Sequence, residues 1–88
     1  MTSVTIVGLK PNQKTEIEKE YGSRLDLTFI CADTPGQQMA ATAASSDHVV
    51  LMTKWISHGA TRGLRHHDGL TYCNGGPSSL KLKLDQFL

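Results

Sequence analysis

Short apolar runs alternate with amphipathic stretches along the whole chain, and this alternation predicts the secondary structure. Four runs are short, apolar and rich in β-branched or aromatic residues, a composition typical of strands. These predicted strands are Val4–Val7, Leu25–Ile30, His48–Met52 and Leu70–Cys73. The second run alternates apolar residues at Leu25, Leu27 and Phe29, which indicates one exposed face and therefore an edge strand.

Each predicted strand is followed by a stretch with helical spacing or helix-start signals. In the first helix Ile17 and Tyr21 lie at i and i+4, while the glutamates and Lys19 are solvated. The predicted helices cover Lys14–Tyr21, about 33–44, a segment that begins at Ser57, and about Ser79–Phe87. In the last of these, Leu80 and Leu84 face the sheet, and Lys81 points outward.

The resulting β-α-β-α-β-α-β-α order predicts a parallel sheet with helices on both faces. Because crossover connections are right-handed, few topologies remain. We expect strand order 2-1-3-4, a small α/β sheet of the Rossmann or flavodoxin-like kind, with residues 1–88 forming one domain. The switch point then lies between the first and third strands.

Net charge, the length of the apolar runs and the cysteine content limit the functions that the protein can have. The net charge is only +1, so no overall field draws the protein to nucleic acid or to a membrane. The longest apolar run is too short to span a bilayer, and the start MTSVTIVG does not have the layout of a signal peptide, so we expect a cytoplasmic protein. The two cysteines, Cys31 and Cys73, are expected to be free thiols that behave as small buried apolar residues.

The carboxyl ends of the central strands are the first candidate site, because ligands of open α/β sheets bind there. Free N–H groups at the start of the third predicted helix favour a phosphate or a carboxylate. Nearby cations would add charge, and the single tryptophan could stack on a base. The candidate residues after the first and third strands are Gly8, Lys10, Thr53, Lys54, Trp55, Ser57, His58 and Arg62. Alternatively, Ser57 only caps the helix and the cations are solvated.

The loop that follows the fourth strand is the second candidate. Its residues are Asn74, Gly75, Gly76, Ser78 and Ser79. The glycines would let the backbone approach a ligand closely, and the serines stand where the last helix starts. In a 2-1-3-4 sheet this loop lies beside the Ser57 helix start. The GxxxxGK[ST] pattern of a Walker loop is absent, and an ordinary left-handed turn with a helix cap is the alternative.

The third predicted helix also carries a basic stripe of His58, Arg62, Arg65 and His66. This stripe could follow a nucleic-acid backbone, although charged runs are more often solvated faces. Gly59 and Gly63 could allow close contact with a partner helix or with a ligand. Four histidines and two cysteines lack zinc-ligand spacing, so no metal is expected. Neighbouring Ser57 and His58 point in different directions, which disfavours catalysis by this pair.

The third and fourth units resemble a small Rossmann-like bacterial family of unknown function. The resemblance rests on an apolar strand, then Thr53, Ile56-Ser57-His58, a basic helix, a strand ending near Cys73 and the Ser78-Ser79-Leu80 helix start. The Val4 to Gly8 start also agrees with it. The chain departs from the family in a first loop that is less glycine-rich and in Gly63 with fewer cations. The resemblance implies the fold, and it implies no activity.

These observations lead us to expect a non-enzymatic domain, without a cofactor, that binds a nucleotide or another phosphorylated small molecule. It would act as a sensor or as a sequestering protein. The small size and the Ala- and Gly-rich helices predict a homodimer or a higher homo-oligomer. A nucleic-acid-binding module that uses the third helix and a protein-interaction or inhibitor module that uses Trp55 are the alternatives.

Overall fold

The computed structural model describes residues 1–34, 36–54, 64 and 67–88. They form β1 (Ser3–Val7), α1 (Pro11–Tyr21), β2 (Asp26–Ile30), α2 (Gly36–Ala43), β3 (His48–Met52), β4 (Leu70–Cys73) and α3 (Pro77–Asp85). The bounds of β3 and β4 are those that the sequence predicts, and β1 and β2 each begin one residue away from the prediction. The predicted helix that begins at Ser57 lies outside the described residues.

The four strands form one parallel sheet in the order β2-β1-β3-β4, which confirms the predicted topology. The central strand β1 pairs with β2 on one side and with β3 on the other, with Ile6 opposite Phe29 and Val50. Strand β2 is an edge strand, and its exposure alternates along the chain as predicted. The protein is therefore an α/β domain with a Rossmann or flavodoxin-like sheet.

Helices cover both faces of this sheet, and two separate apolar layers hold them there. On one face α1 and α3 contribute Ile17, Tyr21, Leu80 and Leu84 to a core with side chains of all four strands. On the other face α2 packs Met39 and Ala43 against a second set of strand residues. Successive residues of a strand point to opposite faces, so the continuous apolar runs of β1 and β3 supply both layers.

Helix α3 begins at Pro77, two residues before the predicted start at Ser79. Proline suits the first helical position because its fixed φ is helical and its missing N–H needs no partner there. Gly76 occupies the N-cap, and the predicted cap residues Ser78 and Ser79 lie in the first turn instead. Helix α1 also begins at a proline, Pro11, three residues before the prediction.

Helices α1 and α3 lie side by side and are joined by polar contacts. Lys81 Nζ lies 3.0 Å from a carboxylate oxygen of Glu16 and 2.9 Å from one of Glu20. Hydrogen bonds to Glu20 and Glu16 hold the pKa of Lys81 above its usual value. Lys81 is therefore outside the sheet core, at the surface contact with the neighbouring helix, and the sequence does not indicate this partner.

The two cysteines are free thiols, as predicted, but only one of them is buried. Cys73 ends β4 within the core, whereas Cys31 is exposed just beyond the edge strand β2. The prediction of a buried apolar role is thus wrong for Cys31, since the edge position gives it no neighbour strand on one side. Among the described residues, no helix combines the length and the apolar character needed to cross a membrane.

Candidate ligand site at the carboxyl edge of the sheet

The loops that follow β1, β3 and β4 leave the sheet at the same edge, because all strands are parallel and these three are neighbours. After β1 the chain turns towards β2, and after β3 it continues towards β4 on the opposite side. The carboxyl ends of β1 and β3 therefore form the switch point at which open α/β sheets bind ligands.

Gly8 makes the first of these turns. Its φ is 93°, a left-handed conformation that favours glycine, and its N–H donates to the Ile30 carbonyl at 2.9 Å. Lys10 follows as the N-cap residue of α1 and is exposed, and its N–H donates to Gln13 Oε1 at 3.2 Å. Gly8 thus shapes the loop, while Lys10 presents a cation near the switch point.

Thr53 and Asn74 join the loops after β3 and β4. The Thr53 N–H donates to the Cys73 carbonyl at 3.0 Å. The Thr53 hydroxyl is shared between that carbonyl, at 3.3 Å, and Asn74 Oδ1. Exposed Lys54 comes next in the chain. The structure therefore brings these predicted residues of two separate loops to one place.

The loop from Asn74 to Ser79 contains a close approach of Gly75 to the Ser79 side chain and no left-handed glycine turn. Neither Gly75 nor Gly76 has a positive φ, so the alternative of a left-handed turn is wrong. A Cβ on Gly75 would collide with the Ser79 side chain, whereas a Cβ on Gly76 would meet no atom of the described residues within 4 Å. Gly75 is thus required by packing, and no described residue fills the Cβ position of Gly76.

The first turn of α3 provides N–H groups for an anion. No described side chain caps this turn, and the Gly76 carbonyl accepts from the Leu80 N–H at 3.1 Å. Pro77 has no N–H, which leaves those of Ser78 and Ser79 among the unsatisfied donors of a helix start. The positive end of the helix dipole adds to their attraction for a phosphate or a carboxylate.

Several predicted residues cannot be added to this arrangement. Four candidate ligand residues lie outside the described residues: Trp55, Ser57, His58 and Arg62. The same holds for the other members of the basic stripe, Arg65 and His66, and for the two glycines of the predicted close contact, Gly59 and Gly63. Their roles stay predictions. In the described ranges, no group of three or more His, Cys, Asp or Glu side chains could hold a metal ion.

The opposite, amino edge of the sheet carries a polar cluster that sequence reasoning missed. Asp47 Oδ2 accepts from the Ser3 N–H at 3.0 Å and from the Ser3 hydroxyl at 3.3 Å, and the Asp47 N–H donates to Ser3 Oγ at 2.8 Å. These hydrogen bonds lower the pKa of the Asp47 carboxyl. The buried Thr5 hydroxyl bonds to that of Ser46.

His67 completes this cluster. Its Nε2 lies 2.9 Å from the Ser46 carbonyl, and its Nδ1 accepts from the Gly69 N–H at 3.0 Å. Because a carbonyl only accepts, Nε2 is the donor of this hydrogen bond. The ring thus ties the segment before β3 to the segment before β4. No local signal in the sequence pairs His67 with Ser46, because the two residues are far apart along the chain.

Comparison with protein-family models, with curated proteins and with solved structures finds no match to this chain. The resemblance to a small Rossmann-like bacterial family therefore stays a prediction from the sequence.

Proposed function

We propose that the protein is a non-enzymatic domain that binds a nucleotide or another phosphorylated small molecule at the carboxyl edge of its sheet. The observation that carries this proposal is the uncapped start of α3, with open space in front of Gly76. A phosphate could approach the backbone there, since Gly76 has no Cβ and no described atom lies within 4 Å of the position that a Cβ would take. The ligand would make the protein a sensor of that molecule or a store that sequesters it.

Two further features support the same site. The strand order creates a switch point between β1 and β3, next to the β4 loop. The hydrogen bond between Thr53 and Asn74 holds the β3 and β4 loops together, which limits the ordering that a ligand must impose. The exposed cations Lys10 and Lys54 follow β1 and β3 and suit an anionic ligand.

Other parts of the proposal rest on the sequence alone. Ser57, His58 and Arg62 would add a second helix start and positive charge, and Trp55 would stack on a base. Assembly into a homodimer or higher homo-oligomer, and a cytoplasmic location, belong to the same proposal.

Substitution of Gly76 tests the site without a cost to the fold. Gly76→Asp adds a carboxylate that caps α3, so the free energy of unfolding should rise by a few tenths of a kcal/mol. The same carboxylate would occupy the N–H groups and repel a phosphate. Gly76→Asn is the matched control, because it caps equally well and carries no charge.

The assay is calorimetric titration of both variants and the parent protein with ATP, GTP and inorganic phosphate. We expect the parent to bind at least one of these, with affinity about tenfold lower in Gly76→Asp than in Gly76→Asn, as befits a lost charge-assisted contact. Equal affinities in the two variants, or an absence of binding in the parent protein, would count against the proposal.

A further inference from the structure

The outer edge of β2 is unpaired among the described strands. The Asp26 N–H donates at 2.9 Å to the chain just before β1, and the Ile30 carbonyl accepts at 2.9 Å from the chain just after β1. Both groups therefore point inward. Because backbone groups of a strand point alternately to its two sides, the N–H and C=O of Leu27 and Phe29 point away from the sheet, where another strand can pair with them.

This edge has few of the features that prevent pairing between edge strands. Strand β2 contains no proline, and its register with β1 runs without a bulge. Its charged residue, Asp26, stands at the first position, and exposed Thr28 stands at the centre. Leu27 and Phe29 are half-buried against the core beneath α1. A neighbouring strand would cover the apolar surface that these two side chains still expose.

The outward-pointing residues of β2 suit a second copy of the same strand. Opposite residues of an antiparallel pair can exchange two hydrogen bonds, and a two-fold axis makes every such contact reciprocal. With the axis at Thr28, Leu27 lies opposite the partner's Phe29, and Phe29 lies opposite the partner's Leu27. This register uses every outward N–H and C=O of both residues. It also sets the two Thr28 side chains opposite each other, a favourable cross-strand pair.

Helix α1 carries two opposite charges on the flank above this edge. Lys14 Nζ lies 5.4 Å from the centre of the Phe29 ring, near the carboxyl end of β2. Glu18, one helical turn later, lines a groove of about 460 Å³ together with Asp26 and Leu27, near the amino end of β2. Both side chains are exposed, and neither forms an ion pair with a described residue.

The positions of these charges select the second copy as the occupant of the edge. An axis at Thr28 passes between the level of Lys14 and the level of Glu18. The two α1 helices then lie antiparallel on the same face of the joined sheet, with Lys14 opposite the partner's Glu18 and Glu18 opposite the partner's Lys14. Charge complementarity of this kind fixes the register of an interface. The other flank of α1 is already paired, since Glu16 and Glu20 contact Lys81 of α3.

We propose that the β2 edges of two copies of the chain pair antiparallel about a two-fold axis at Thr28, with ion pairs between Lys14 and the partner's Glu18. The joined strands make one continuous sheet across the dimer. This inference rests on the homo-oligomer that belongs to the proposed function, and it assigns the surface that forms it. The ligand groups at the start of α3 take no part in the interface.

The test measures the dissociation constant of the dimer by sedimentation equilibrium of the full-length protein. Thr28→Lys places two like charges opposite each other at the axis and should weaken the dimer by at least about tenfold. Thr42→Lys is the matched control, because it makes the same change on the exposed surface of α2 and should leave the dissociation constant unchanged. Far-UV circular dichroism checks that both variants keep the fold.

Exchange of the two charges gives a second test that does not depend on Thr28. Lys14→Glu alone, or Glu18→Lys alone, sets like charges opposite each other at two symmetric places. Each should weaken the dimer about tenfold, since two exposed ion pairs are lost together. The double variant puts opposite charges back in contact and should recover the parent dissociation constant, a rescue that separate effects on the fold would not give.

Three results would overturn the proposed interface: a parent protein that stays monomeric at millimolar concentration, equal effects of Thr28→Lys and Thr42→Lys, or a double variant no tighter than either single variant. A monomeric parent would leave the nucleotide titrations unaffected. Conversely, a parent that dimerises through β2 and binds no phosphate-bearing ligand would contradict the ligand site alone.

Discussion

The hydroxyl of Tyr21 joins α1 to α3, and its removal gives a stability change that can be worked out from the structure. The side chain is 2% exposed, and its hydroxyl lies 2.8 Å from Asp85 Oδ1 and 3.1 Å from the Lys81 carbonyl. The hydroxyl carries one hydrogen, so the shorter contact with the carboxylate dominates. The Arg24 guanidinium lies 5.1 Å from the ring centre on the solvent side.

Tyr21→Phe keeps the buried ring and removes only the hydrogen bond. Because Asp85 is exposed and regains water, the loss should be about 1 kcal/mol of the free energy of unfolding, within the usual range for one hydrogen bond. For a domain of this size, the melting temperature should fall by about 4–8 °C. Tyr72→Phe is the matched control, since it removes a hydroxyl from an exposed tyrosine.

The hydrogen bond between Tyr21 and Asp85 also makes the free energy of unfolding depend on pH in the alkaline range. Burial, and then the hydrogen bond to Asp85, raises the pKa of Tyr21 from 10.0 to about 12. The folded state therefore keeps a proton that the unfolded state loses. This stabilisation is fully present below pH 10 and is lost as pH rises towards 12, at up to about 1.4 kcal/mol per pH unit.

Tyr21→Phe lacks this dependence, so the two stability curves should cross. At pH 8 the parent protein should be more stable by about 1 kcal/mol. Above about pH 11 the phenylalanine variant should be the more stable one. The free energy of unfolding of both proteins is measured by urea denaturation from pH 8 to pH 12, with far-UV circular dichroism as the signal. Parallel curves between pH 10 and pH 12, or equal stability at pH 8, would refute the reasoning.

Two predictions concern the amino edge of the sheet. A Cβ at Gly69 would press into the backbone carbonyl of Asp47, so Gly69→Ala should lower the free energy of unfolding by about 1–3 kcal/mol. The control Gly76→Asn, whose Cβ meets no described atom and whose side chain can cap α3, should not lower it, and equal thermal melts of the two variants would contradict this. The hydrogen bonds from Ser3 lower the pKa of Asp47 below 3.8, so their stabilisation is present above pH 3.8 and is lost as pH falls through the folded-state pKa. The stability advantage over Asp47→Asn in urea should therefore shrink in acid, and an advantage that is constant with pH would contradict the assignment.

The sheet could be predicted from the sequence because its signals are local and agree with one another. The apolar runs of β3 and β4 are bounded by turn residues, and the alternation of β2 marks an edge strand. Right-handed crossovers then leave few strand orders, and the 2-1-3-4 order is one of them. Both α1 and α3 begin earlier than the predicted starts at Lys14 and Ser79, because Pro11 and Pro77 suit the first helical position.

Contacts between distant segments could not be predicted in the same way. The ion pairs of Lys81 could not be predicted, because nothing in its own helix shows that Glu16 and Glu20 lie opposite it. The bonds of His67 to Ser46 and of Asp47 to Ser3 likewise depend on which loops meet at the amino edge. At the carboxyl edge, topology alone brought Thr53 and Asn74 together, since they follow adjacent parallel strands.

The most direct test of the ligand site is a ¹H–¹⁵N correlation spectrum of the protein recorded during titration with ATP, GTP and inorganic phosphate. Our account predicts that the largest shifts occur at the amides of Gly8, Gly76, Ser78 and Ser79, and that they saturate with the added ligand. Unchanged spectra with all three probes, or shifts confined to the amino edge around Asp47 and His67, would contradict it.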